Sequence, residues 1–402
     1  MPSTLDRYRR QMQLPAFGEA GQARLRSARV LVAGCGALGT VVCEQLARAG
    51  VGTLTIIDRD VVERSNLQRQ TLFTEVDAAR GVPKAEAAKA RLAQVNGEII
   101  VRAFVDDLVS ANALRYTREC DLLVDCLDNF ETRYLLNDCA VAQGLPLVYG
   151  GAVGFRGMAA ALLPITGADR GGAVSWNVGQ STPCLRCIAP DAPLPGEVET
   201  CESSGVLASA VGIAASIEAA LALRLLAESP LILPARLVRF DLARLDFTSS
   251  SIAGARDEDC PCCAAHRFAS LERQTGAGGE GNCRVLCGRN AVELRIAGAL
   301  AEAELERIAV RLAAQGMVVR DRVGATTTLT VRFHGSAHDI RQFALDDVRS
   351  APGTSEIPAE LDGWSGSVAL TVLAAERATF AIITGTTDPE RARALFARVV
   401  GL

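Results

Sequence analysis

Ala28-Arg29-Val30-Leu31-Val32-Ala33-Gly34-Cys35-Gly36-Ala37-Leu38-Gly39 is the stretch whose reading decides the fold. Ala28 to Ala33 is short and largely apolar, which predicts a buried strand. Gly34-x-Gly36-x-x-Gly39 follows it. Thr40 to Ala49 then carries Val41, Val42, Gln45, Leu46 and Ala49 near helical spacing. Glycines between a strand and a helix let backbone approach phosphate closely, and a helix N-terminus favours negative charge there. Gly50-Val51-Gly52 predicts a turn, and Thr53 to Ile57 a second strand ending in Asp58, placed to accept from ribose hydroxyls. Alone, the glycine pattern fits plain dinucleotide binding equally well.

The alternation continues outward. Helices are expected over Ala85 to Gln94 and Thr132 to Gln143, and strands over Ile99 to Phe104, Leu122 to Val124 and Pro146 to Tyr149. This rhythm predicts an α/β, Rossmann-like, mainly parallel sheet with helices on both faces. Val206 to Ala227 is the most apolar long stretch. It holds Glu218 and Arg224, so it reads as a buried Ala-rich helix and not a bilayer span. Gln274 to Gly281 is Gly-rich. It sets expected boundaries of 1–272 for the α/β domain, 273–281 for a linker and 282–402 for a small α+β domain of ferredoxin-like proportions. In that last region Arg284 to Ile296, Thr326 to Phe333 and Val368 to Ala374 have strand character. Ala301 to Gln315 and Pro389 to Val399 have helical character, and His334 to Gly366 reads as an insertion.

Beyond Asp58 come Ser65-Asn66-Leu67-Gln68-Arg69-Gln70 and then Lys84 at a helix start. A nicotinamide site has no use for this pair of cations, whereas a triphosphate needs them to offset its charge. Asp128 and Asn129 follow a strand, where carboxylate and amide oxygens suit Mg²⁺. Taken singly, Arg69 and Lys84 read as a solvated helix face and Asp128-Asn129 as a capping turn. Their order at successive strand ends favours one nucleotide site. A net charge of −4 with mixed signs, and 4% aromatic residues, argue against a nucleic-acid partner. The polar N-terminus lacks an apolar leader core, so a cytoplasmic protein off the membrane is expected.

In these motifs the chain resembles the ThiF–MoeB–HesA family, relatives of the ubiquitin-activating enzymes. The matching residues are Arg7-Tyr8-x-Arg10-Gln11, the Gly34 loop, Asp58-x-Asp60-x-Val62-Glu63, Ser65 to Gln70, Pro83-Lys84 and Asp125-Cys126-x-Asp128-Asn129. The resemblance spans roughly residues 5 to 265. It implies ATP and Mg²⁺ as cofactors. Asp58 would bind ribose, Arg69 and Lys84 the phosphates, and Asp128 the magnesium. Gly34, Gly36, Ala37, Gly39, Asp60, Asn66, Gln70 and Asn129 would complete the nucleotide set. Arg10 would reach the ATP of a neighbouring subunit, which implies a homodimer.

The chemistry implied is adenylylation of the C-terminal carboxylate of a ubiquitin-like sulfur-carrier protein ending in Gly-Gly, ThiS- or MoaD-like, for thiamine or molybdopterin synthesis. Such a carboxylate, with a pKa of about 3.5, is already ionised at neutral pH and needs no general base. The three histidines, His266, His334 and His338, lie outside these motifs. Four other readings stay open: activation of a different carboxylate, activation of a tRNA base, a non-catalytic scaffold subunit, and a nicotinamide oxidoreductase.

Of thirteen cysteines, eight lie between Cys184 and Cys287, which points to metal or sulfur chemistry. Cys184-x-x-Cys187 and Cys260-x-x-Cys263 are two knuckles fit for a structural tetrathiolate Zn²⁺ site. Cys262 is an alternative to Cys263 as fourth ligand. By resemblance, the family carries zinc here, and Cys201 corresponds to a cysteine that forms a covalent link to the carrier in several relatives. Ile383 to Gly401 is similar to the tail of thiazole-branch members. No rhodanese-type loop is evident, so a separate cysteine desulfurase or sulfurtransferase is an expected partner.

Overall fold

The computed structural model describes residues 5–163, 182–190, 204–228 and 233–272, together with the C-terminal elements named below. The chain divides into two compact units, Met1–Thr275 and Gly276–Leu402.

The first unit holds strands β1 (Arg29–Ala33), β2 (Thr53–Ile57), β3 (Ile100–Phe104), β4 (Leu122–Asp125), β5 (Leu147–Val153), β6 (Arg156–Leu162), β7 (Arg236–Asp241) and β8 (Asp246–Ser251). Its helices are α1 (Arg9–Met12), α2 (Gly18–Ser27), α3 (Ala37–Ala49), α4 (Glu75–Arg80), α5 (Lys84–Val95), α6 (Ser110–Thr117), α7 (Phe130–Gln143), α8 (Leu185–Ile188), α9 (Ala208–Ala227) and α10 (Ala269–Glu272). One sheet runs β3-β2-β1-β4-β5-β6-β7-β8. Strands β1 to β5 pair in parallel, and β6, β7 and β8 extend the sheet antiparallel.

Burial follows this division. Val30, Leu31, Val32 and the whole of β4 are buried, as parallel strands covered on both faces must be. β8 is almost wholly exposed. The three antiparallel strands fall outside the βαβ rhythm: β5–β6 and β7–β8 are hairpins with no helix between their strands, and β7 pairs with β6 only after the long segment that carries α8 and α9. α9 is long and apolar enough to cross a membrane by length and composition. Here it packs against α2, α3 and strands β4 to β6, with Glu218 fully buried.

The sheet order places β1 between β2 and β4, with β2 and β3 on one side and β4 and β5 on the other. The connections leaving β1 and β4 therefore diverge at their carboxyl ends and open a crevice. In doubly wound sheets this switch point is where ligands bind.

The C-terminal unit contains β9 (Cys283–Leu286), β10 (Ala291–Ile296), α11 (Glu302–Leu312), β11 (Gly316–Val323), β12 (Thr326–Phe333), β13 (Ala369–Ala374) and β14 (Thr379–Thr384). Its sheet order is β11-β12-β13-β14-β10-β9, antiparallel throughout. Leu305 and Ile308 of α11 are buried, as are Leu329, Leu370, Val372, Ala381 and Ile383 of the strands. This corrects the ferredoxin-like expectation. Arg284 to Ile296 is a pair of strands, and β10 lies beside β14 instead of interleaving through a split βαβ. The expected helix at 389–399, the insertion at 334–366 and the linker at 273–281 lie outside the described residues.

Candidate nucleotide site and cysteine centre

The glycine loop begins where β1 ends. Gly34 has φ +87°, and a Cβ there would lie 2.6 Å from the Cys126 carbonyl oxygen, so only glycine lets the β1 and β4 loops touch. Gly39 already sits in the first turn of α3, and its Cβ would fall 2.1 Å from Gly34 O. Gly36 differs. The nearest atom to a Cβ there is Gln70 Nε2 at 3.8 Å, so no protein atom demands a glycine. The open space above it is what an approaching phosphate needs.

Asp58 closes one side of the loop. Its carboxylate accepts from Cys35 N at 2.7 Å and from Asp60 N at 2.8 Å. Burial raises its pKa above the ordinary carboxylate value, and nearby Lys84 works against that rise. Lys84, buried at the start of α5, donates its ammonium to Asp60 Oδ2 at 2.8 Å. Asn66 is buried and caps its own turn by accepting from Glu63 N at 3.1 Å. Gln70 is buried and its Oε1 has no hydrogen-bond partner among the described residues. A buried amide oxygen without a partner is costly unless a ligand or water supplies a donor. Thr71 N donates to Thr40 Oγ1 at 3.3 Å, tying this segment to α3. Arg69 is partly exposed and its Nη1 donates to Ser65 O at 3.0 Å.

The other side of the crevice is the turn after β4. Asn129 is the N-cap of α7: its Oδ1 accepts from Thr132 N at 2.9 Å. The capping reading therefore applies to Asn129, and it leaves Asp128 as the exposed carboxylate of the pair. Arg10 is exposed on α1. Cys201 lies outside the described residues.

The cysteine centre is built by α8 and the 260–263 turn. The sulfurs of Cys184, Cys187, Cys260 and Cys263 all lie within 4.8 Å of one another. Individual separations are 3.9 Å for Cys184–Cys187, 3.7 Å for Cys184–Cys260 and 3.4 Å for Cys187–Cys263. A tetrahedral zinc with sulfurs at about 2.3 Å needs sulfurs about 3.8 Å apart, which this set provides. Burial raises the Cys187 thiol to about 11, and a hydrogen bond with Cys184, helped by burial, raises Cys263 to about 12. Cys262 packs against Cys184 but lies outside that four-sulfur set, donating to Asp138 Oδ1 at 3.4 Å and accepting from Asn137 Nδ2 at 3.4 Å. The four-sulfur cluster contains Cys263 and not Cys262.

A model of the ThiF family matches residues 8–262, well over half the chain. The chain belongs to the ThiF family. Among similar proteins is the sulfur carrier protein ThiS adenylyltransferase of Bacillus subtilis (strain 168), 38% identical over 315 residues, covering 78% of this chain and 86% of that one. The sulfur carrier protein adenylyltransferase of Thermus thermophilus is 40% identical over 259 residues, covering 64% and 90%. The crystal structure of E. coli MccB matches with a TM-score of 0.53 at 23% identity, covering 69% of this chain and 76% of that one, a likeness of fold.

Two groups of this ThiF-family chain escape a motif reading. Arg133 is buried in α7 and Glu218 is fully buried in α9. The available signal was a charge inside an apolar helix, which by itself names no partner. Asp138 is a third such group, accepting from Arg186 Nε at 2.9 Å and Ser270 N at 3.0 Å beside the cysteines.

Proposed function

We propose that this ThiF-family chain adenylylates the C-terminal glycine carboxylate of a ubiquitin-like sulfur-carrier protein, ThiS- or MoaD-like, for thiamine or molybdopterin biosynthesis. ATP and the carboxylate give an acyl-adenylate and pyrophosphate. The observation that carries this reading is the convergence of three strand ends. Asp58 after β2 binds the Gly34 loop after β1, and that loop rests on Cys126 after β4.

The residues divide the work by charge. Gly34, Gly36 and Gly39 admit phosphate oxygens to the α3 N-terminus. Asp58 receives the ribose hydroxyls, and the donor Gln70 Oε1 lacks comes from the nucleotide. Lys84 and Arg69 offset the charge that builds as the incoming carboxylate nears the α-phosphate. Asp128 would hold Mg²⁺, which when bound neutralises phosphate charge. The carboxylate arrives ionised, so no proton has to be removed. Cys184, Cys187, Cys260 and Cys263 would hold a structural Zn²⁺ that ties α8 to the 260–263 turn.

The working unit is a homodimer. Tyr8 is buried against Gly50, and Gln11 Nε2 donates to Ala49 O at 2.8 Å, so Arg10 is anchored at the C-terminal end of α3. The glycine loop lies at the other end of that 13-residue helix, about 18 Å away at 1.5 Å per residue. An arginine side chain does not span that distance, which supports a role in a second copy's site. Val41, Ile213, Ile217, Leu221 and Arg224 line an apolar groove of about 610 Å³ on α3 and α9 suited to that copy. A tetrathiolate centre needs reduced sulfurs, which suits a cytoplasmic location.

ATP–pyrophosphate exchange with candidate carriers tests the reading. Exchange that requires one carrier and its free terminal glycine is the expected result. ATP binding without exchange for any carrier would redirect the assignment to another carboxylate or to a scaffold role.

A further inference from the structure

Asp128 is presented by a turn that is held from both sides. Asp125, fully buried at the end of β4, accepts from Leu127 N at 3.1 Å. Arg133, buried one turn into α7, reaches back and donates Nη2 to the Leu127 carbonyl. Its Nη1 donates to Gly150 O at 2.8 Å and faces Asp125 Oδ2 at 3.4 Å. Both polar groups of Leu127, the residue just before Asp128, are thus fixed by one buried ion pair. The guanidinium lies over the Tyr149 ring, 5.0 Å from its centroid. Beneath it Glu218 is packed so close to β5 that a Cβ on Gly150 would fall 2.2 Å from Glu218 Cδ.

This is an expensive way to shape a turn. Burying an ion pair costs several kcal/mol in desolvation, and apolar residues of equal volume often serve stability as well. Helix initiation does not require it, since Asn129 already caps α7. What the pair adds is a fixed orientation for the next residue, and the next residue is the exposed Asp128.

We infer that Arg133 is a positioning residue that, with Asp125, clamps the Leu127 peptide so that Asp128 meets the metal–triphosphate. The inference rests on the reading of Asp128 as the magnesium carboxylate. Arg133 touches neither nucleotide nor metal in this role. Its effect passes through the turn, so it disappears when Asp128 has lost its charge.

The test is a double-variant cycle read by equilibrium binding. ATP affinity is measured by calorimetry, once with Mg²⁺ and once with EDTA, for the parent, Arg133→Lys, Asp128→Asn and the double variant. Lysine keeps the charge but cannot hold the Leu127 and Gly150 carbonyls together. The metal-dependent gain in affinity should fall by about tenfold in each single variant, with the EDTA value of Arg133→Lys close to the parent's, and the gain in the double should match that in Asp128→Asn. Equal losses with and without metal, or a double-variant loss equal to the product of the singles, would overturn the inference. An undiminished metal-dependent gain in Asp128→Asn alone would instead remove the reading of Asp128. If Arg133→Lys does not fold, Asp125→Asn, which sets an amide N–H against the guanidinium, carries the same cycle.

Discussion

Lys84 and Asp60 are joined twice: the ammonium donates to Asp60 Oδ2 at 2.8 Å, and the Lys84 backbone N–H donates to the Asp60 carbonyl at 2.8 Å. The cation proposed for the triphosphate is thus held at the start of α5 by the residue two beyond Asp58, the carboxylate proposed for the ribose. Lys84→Ala should reduce pyrophosphate exchange by at least about 10²-fold and leave the fold intact. Asp60→Asn should cost about 1–3 kcal/mol in a urea melt. That is below the range for a fully buried pair, because Asp60 keeps some solvent contact. Near-normal exchange in Lys84→Ala would remove Lys84 from the mechanism.

The three loop glycines should behave differently. Gly39→Ala places a methyl 2.1 Å from Gly34 O, so the loop cannot close and the protein should be strongly destabilised. Gly36→Ala meets nothing nearer than 3.8 Å, so its melting temperature should stay close to the parent's. ATP binding should nevertheless be lost, because the methyl occupies the space left for phosphate. Normal ATP affinity in Gly36→Ala would place the phosphates elsewhere.

Glu218 gives a pH signature. Burial, reinforced by Asp125 and opposed by Arg133, holds its carboxyl well above the usual range, and neither oxygen has a hydrogen-bond partner among the described residues. A carboxyl raised in the folded state keeps its proton while the unfolded chain loses one. Stability is therefore drained as pH rises above the unfolded value of about 4.3. Glu218→Gln removes this drain. Its melting temperature relative to the parent should be independent of pH below about 4 and should rise with pH above it. A flat difference between pH 4 and 8 would mean that Glu218 is ionised in the folded protein.

The cysteine centre makes a prediction about neighbours. Cys263→Ser should lose bound zinc and unfold at lower temperature, whereas Cys262→Ser should keep its metal, since that thiol faces Asp138 and Asn137. Metal content by atomic emission beside a thermal melt checks both. Zinc loss in Cys262→Ser with retention in Cys263→Ser would reverse the ligand assignment.

The dimer can be tested by complementation. Arg10→Ala and Lys84→Ala homodimers should each be inactive. Co-refolded mixtures should recover up to about a quarter of parent activity, because each mixed dimer holds one intact site. No recovery, with mixed dimers present, would place Arg10 in its own subunit's site or in neither.

Much of this was legible from local pattern alone. The strand, glycine loop, helix and acidic strand end over 28–58 appear because backbone preference and burial period are written into neighbouring residues. Helix α3 begins at Ala37, three residues before its periodic stretch, because the loop's own residues form its first turn. The paired cysteine knuckles were visible for the same reason: two thiols three residues apart share one turn. Local pattern could not say which thiol of Cys262 and Cys263 faces the cluster. Nor could it show that β6 to β8 continue the sheet, or that β10 lies beside β14. It showed Glu218 only as a charge in an apolar stretch and gave no reason to single out Arg133. Their meeting with Asp125 under the Asp128 turn depends on α7, α9 and two strands packing together, and only that packing excludes the water that would otherwise make each charge unremarkable.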